Sequence, residues 1–100
     1  MKILHVVPKA GNKGKLKSLL KSTERDLRGP HTTFHRIKEG RWEHVKYPGW
    51  IRWEEILGGT LVAEIQTKVK DHEWQMLQAF IGYVDRHLGE HIESISVYYR

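Results

Sequence analysis

Residues 31–70 read HTTFHRIKEGRWEHVKYPGWIRWEEILGGTLVAEIQTKVK, and what these residues become decides the fold. β-Branched and aromatic residues crowd the stretch. Turn formers at Glu39-Gly40, Pro48-Gly49 and Gly58-Gly59 cut it into short pieces. That spacing predicts successive antiparallel hairpins. HTTFHRIK, RWEHVKY, WIRWEEIL and TLVAEIQTKV are the strands. WIRWEEIL is the one piece that also reads as helix, through its WEEIL end.

Working outward, KILHVV (2–7) is apolar on both sides of the pleat and predicts a central strand covered on both faces. Pro8 ends it. A helix is expected over 13–28, with Leu16, Leu19, Leu20 and Leu27 on one face. Asn12 is its expected N-cap and Gly29-Pro30 its stop. A second helix is expected over 72–88, capped by Asp71, with Glu73 in the first turn and Gly89 just past its end. Trp74, Leu77, Phe80, Ile81, Val84 and Leu88 form its apolar face. HIESISVYY (91–99) is the final strand.

The resulting order, β-α-β(hairpins)-α-β over a single domain of residues 1–100, resembles the ferredoxin-like pattern. The expectation is an α+β fold, with an enlarged and mostly antiparallel sheet and two helices on one face. The forty residues between the helices exceed what one hairpin needs, so an extra hairpin or a long bent pair of strands is expected.

With 39% hydrophobic and 29% charged residues, the composition is that of an ordinary globular protein. Its apolar runs are far shorter than the roughly 20 residues of a membrane span, so no membrane partner is expected. The start, MKILHVVPKAG, is too short and too quickly basic for a secretion signal, and a cytoplasmic location is the expectation. There is no cysteine, which excludes disulfides, thiolate metal sites and cysteine nucleophiles. The net charge of +5 is unevenly spread: residues 1–50 carry +8 and residues 51–100 carry −3. A basic surface on the N-terminal half would attract a polyanion or an acidic partner.

VPKAGNKGKLKS (7–18) looks at first like a phosphate loop. The nucleotide loop G-x-x-x-x-G-K-[ST] fails at two fixed positions, because Lys9 stands where the first glycine belongs and Leu16 where the hydroxyl belongs. What remains is electrostatic. Lys13, Lys15 and Lys17 crowd the positive end of the helix dipole, and a bound anion would relieve them. Lys13, Lys17, Lys21 and Arg28 share one flank of the helix. Lys9, Lys13, Lys15, Lys17, Lys21 and Arg28 are therefore the candidate anion or nucleic-acid contacts.

FHRIKEGRWEHVKYPGWIRW (34–53) interleaves rings with cations. Trp42, Trp50 and Trp53 are candidate stacking residues for bases, and the same rings suit a core or a dimer interface equally. The histidines do not make a metal site. His31 and His35 on a strand would stand about 13 Å apart, and Gly89 breaks the register between His87 and His91. His5 and Glu64 are the candidate pocket residues for acid–base work. A second stripe on the later helix, Met76, Phe80, Tyr83 and His87, predicts either a homodimer contact or packing against the extra hairpin.

The leading expectation is non-enzymatic binding of a phosphate-bearing partner such as nucleic acid, with no metal or cofactor. One alternative is a homo-oligomeric small-ligand-binding domain or enzyme using His5 and Glu64. The other is a protein-interaction module.

Overall fold

The computed structural model describes residues 1–27 and 32–100. Arg28, the Gly29-Pro30 stop and His31 lie outside the described residues. The elements run β1 (Lys2–Pro8), α1 (Lys15–Glu24), β2 (Phe34–Lys38), β3 (Arg41–His44), β4 (Gly49–Glu55), β5 (Leu61–Thr67), α2 (Glu73–Leu88) and β6 (Ile92–Tyr99). The fold is α+β. Six strands form one sheet in the order β2-β3-β4-β5-β1-β6, and every neighbouring pair is antiparallel.

This order differs from that of the ferredoxin-like pattern. The residues between the helices make four strands, and β2–β3 is the extra hairpin, extending the sheet beyond β4. WIRWEEIL is strand through Glu55, because Ile51 and Trp53 alternate inward with Trp50 and Arg52 outward. β1 is next to the edge strand β6, and its burial is uneven: Leu4 and Val6 are buried on the helix face, whereas on the other face Ile3 is buried but His5 and Val7 are only half-buried.

The register aligns the core. Leu4 lies between Ala63 and Val97, and Val6 between Leu61 and Ile95. On this face α1 buries Leu16 and Leu20, and α2 buries Met76, Leu77, Phe80, Val84 and Leu88. Each fully buried leucine-sized side chain stabilises the fold by roughly 1.5–3 kcal/mol relative to exposure. Trp74, assigned from the sequence to the apolar face of α2, is 42% exposed instead. The other face of the sheet carries no helix among the described residues. It presents Ile3, His5 and Val7 from β1, Val62, Glu64 and Gln66 from β5, and Trp50 and Arg52 from β4.

The extra hairpin is locked to α1 by one carboxylate. Glu24 is 2% exposed and accepts from the Arg36 guanidinium at 2.8 Å, the Gly40 amide at 3.1 Å and the Trp42 indole at 2.6 Å. Trp42 is fully buried, and Phe80 and Tyr83 of α2 pack against its ring at 5.5 and 5.1 Å. Trp53 is 4% exposed and meets Trp42 edge-on at 6.4 Å. The stacking role expected of Trp42 and Trp53 is therefore corrected: both rings fill the core, because the inward positions of β3 and β4 face α1 and α2. The second stripe of α2 is spent the same way. Met76 and Phe80 are buried, and Tyr83 lies edge-on to Phe34. Phe34 and Trp42 of the chain's own hairpin pack on Phe80 and Tyr83, while His87, the last residue of the stripe, is exposed.

Candidate anion-binding surface

Loops from distant parts of the chain meet at the end of the sheet where β1 finishes. The Lys9 amide donates to the His91 carbonyl at 2.9 Å, and the Asn12 side chain joins the His91 ring at 2.8 Å. Gly59 packs so closely here that a Cβ on it would stand 3.0 Å from the Gly14 nitrogen. Gly14, with φ +83°, is the N-cap of α1 and supplies no side-chain cap. Asn12, the expected N-cap, instead holds the loop to Ala10 and His91. Helix α1 starts at Lys15 and ends at Glu24, shorter than expected, because Gly14 ends the loop and Arg25 closes the helix.

The structure brings the N-terminal lysines to this end. Lys9, Lys13, Lys15 and Lys17 are exposed, and none makes an ion pair among the described residues. Lys21 differs, since it pairs with Glu39 at 3.2 Å. Arg28 lies outside the described residues. Leu16, at the position where a nucleotide loop needs its hydroxyl, is completely buried in the core.

A second cationic feature is set by strand register. A bulge between Arg36 and Lys38 places Lys38 opposite Arg41, and Arg41 is opposite Arg52. Three cations thus stand in one row across β2, β3 and β4, with neighbouring strands about 4.8 Å apart. Like charges directly opposite one another destabilise a sheet. The row ends at Glu64, which is opposite Arg52 and accepts from it at 3.0 Å. Lys17 of α1 joins Lys38, Arg41 and Arg52 around one open cavity of about 460 Å³, which Glu39, Glu54 and Glu55 also line.

Trp50 lies beside this row. It is half-buried on the helix-free face, with the Arg41 and Arg52 guanidinium carbons 5.4 and 5.2 Å from its ring. Both are within cation–π range. Of the three expected stacking residues, Trp50 alone keeps an accessible ring.

His5 and Glu64 do share the helix-free face, on adjacent strands. They are not joined in a pocket. His5 packs on Tyr98 at 4.6 Å, Glu64 is held by Arg52, and among the described residues neither lines the cavity that Lys17 shares with Lys38, Arg41 and Arg52. Sequence reading missed the Lys38–Arg41–Arg52 row. Its signal was the Glu39-Gly40 turn, which places the residues flanking it opposite each other. It also missed Glu24, whose signal was its place four residues after Leu20 on the buried stripe of α1.

Comparison of the chain with protein-family models, with curated proteins and with solved structures finds no match. The reading of this surface therefore stands on its geometry.

Proposed function

We propose that this protein binds a phosphate-bearing polyanion, nucleic acid in the first instance, without catalysing a reaction on it. The observation that carries the reading is the convergence of Lys17 with Lys38, Arg41 and Arg52 on one cavity, with Lys9, Lys13 and Lys15 of the same segment as Lys17 making no ion pair among the described residues. These cations come from three segments far apart in sequence. Their mutual repulsion costs stability that a polyanion would return. Glu39 is occupied by Lys21, whereas Glu54 and Glu55 make no ion pair among the described residues. Phosphates are therefore expected to follow the Lys38–Arg41 side of the cavity and the start of α1. The glycines at 11 and 14, both at positive φ, let the backbone approach a ligand there.

The test is titration of single- and double-stranded oligonucleotides at two salt concentrations. Wild type is compared with the triple variant Lys13→Ala, Lys15→Ala, Lys17→Ala. Salt-sensitive binding that the triple variant weakens supports the reading. No binding at low salt, or equal binding by both proteins, removes it.

A further inference from the structure

We infer that the nucleic acid is single-stranded and that one base stacks on Trp50 on the helix-free face of β4, an inference that rests on the polyanion reading above. Three independent features meet at this ring. The first is accessibility: Trp42 and Trp53 are buried at 0% and 4% exposure, while Trp50 points away from the helices. The second is charge. Arg41 and Arg52 are direct cross-strand partners, and both guanidiniums lie against the Trp50 ring. Glu64 neutralises Arg52, but Arg41 has no carboxylate partner among the described residues. A phosphate bridging the pair would remove the repulsion and draw the guanidiniums off the ring, whose face a base would then take.

The third feature is space. A hollow of about 420 Å³ opens beside the ring, bordered by Arg41, Glu43, Gly49, Gln66 and Lys68 as well as Trp50. That volume is in the range that takes a small planar molecule. Gln66 is the cross-strand partner of Trp50 and sends its amide N–H to the Thr67 carbonyl at 3.3 Å. Its carbonyl oxygen accepts no hydrogen bond among the described residues and could accept one from a base edge. Glu43 excludes a second phosphate from its side of the hollow, which leaves Arg41 and Lys68 to carry the backbone. Arg41 lines both this hollow and the cavity shared with Lys17. One strand can therefore run from the start of α1, over Arg41, to Trp50 and Lys68.

This geometry selects against duplex. Bases in a duplex are already stacked on each other and offer no face to a flat ring, whereas unpaired bases stack on aromatic platforms with little regard for sequence. Stacking on one platform changes affinity by roughly five- to 150-fold.

The experiment compares wild type, Trp50→Ala and Trp50→Phe. Each is titrated with a labelled single-stranded oligonucleotide, its duplex and inorganic polyphosphate, at low salt. Wild type is expected to prefer the single strand. Trp50→Ala should lose about tenfold or more on the single strand while holding its affinity for polyphosphate, and Trp50→Phe should keep most of the single-strand affinity. Unchanged single-strand binding by Trp50→Ala, with polyphosphate still bound, overturns the stacking inference and leaves the polyanion reading standing. Failure of wild type to bind any of the three removes both. Should Trp50→Ala not fold, the tryptophan fluorescence of Trp50→Phe decides: loss of the quench that the oligonucleotide causes in wild type supports stacking at Trp50, and a persisting quench overturns it.

Discussion

The Glu24 carboxylate accepts the Trp42 indole N–H at 2.6 Å where α1 meets β3, and both side chains are buried. A second donor, Arg36, reaches the same carboxylate from β2. Removing the carboxylate leaves a guanidinium, an indole N–H and the Gly40 amide without their acceptor. Glu24→Ala is expected to destabilise the fold by roughly 3–5 kcal/mol, as when one member of a buried pair is deleted. Glu24→Gln keeps an acceptor oxygen and is expected to cost less, roughly 1–3 kcal/mol. Urea unfolding of the two variants checks both values. A cost near zero for Glu24→Ala would show that the hairpin does not need this anchor.

Phe80 is the meeting point of α2 with the hairpin rings. It is 1% exposed and lies 5.5 Å from Trp42 and 6.2 Å from Phe34. Phe80→Ala is expected to cost roughly 3–5 kcal/mol, because the surrounding rings cannot all collapse into the space. That is a large part of the roughly 5–10 kcal/mol expected for a domain of this size. Equilibrium denaturation measures it, and a loss below about 1 kcal/mol contradicts the packing.

The order of elements was legible because turns and periodicities are local. Glu39-Gly40, Pro48-Gly49 and the Leu16/Leu20 stripe each speak for their own segment. What was not legible depends on which strands become neighbours. Whether Trp42, Trp50 or Trp53 faces solvent follows from which side of the sheet the helices cover, and the sequence of the hairpin alone does not carry that. The lysines of the loop were visible as a charge cluster, whereas Lys38, Arg41 and Arg52 became one only through the register of three strands. Asn12 shows the limit of local cap chemistry, since the ring of His91 drew its side chain away from the helix.

Acid should weaken the fold in two stages. Burial, then the charge of Lys46, lowers the His44 pKa below 6.5, and the Lys46 amide donates to its Nδ1 at 2.9 Å. A depressed folded pKa contributes stability that is present above the unfolded value and is lost as pH falls through the folded value. The His44 contribution therefore declines from about pH 6.5 downward. Glu73 follows at lower pH. Burial pushes its carboxyl up, but hydrogen bonds from the N-terminal ammonium at 3.1 Å and Lys2 at 3.2 Å, with their charges, outweigh this and hold it below 4.5. By the same sign, its contribution is present above that value and lost as pH falls below it. Glu73→Gln is expected to lower stability at neutral pH and to flatten the acid limb below about 4.5. Denaturant unfolding of wild type and variant across this range is the measurement, and parallel acid limbs contradict the assignment.

The lysines at the start of α1 should act on nucleic acid through phosphate alone. Each phosphate contact contributes roughly 0.7–0.9 to the slope of log affinity against log salt. The triple alanine variant at Lys13, Lys15 and Lys17 is therefore expected to flatten that slope by about two to three units. It should weaken binding alike across sequences, since phosphates carry no base information. Mg²⁺-ATP should show no turnover with either protein. A slope that does not change removes the lysines from the contact.

The sheet order carries a kinetic consequence. β2 to β5 pair with their neighbours in the chain, but β1 lies between β5 and β6, so that Lys2 faces Tyr99. Closing so long a segment costs more chain entropy than closing a hairpin, and folds rich in distant pairings reach the native state in milliseconds to seconds. The meander can form early and can receive β1 along β5, but the other edge of β1 stays unpaired until β6 has been made. Leu4→Ala is accordingly expected to speed unfolding in a stopped-flow measurement and to leave the folding rate nearly unchanged. During synthesis the pairing of β1 is therefore completed only when the last strand, β6, has been made.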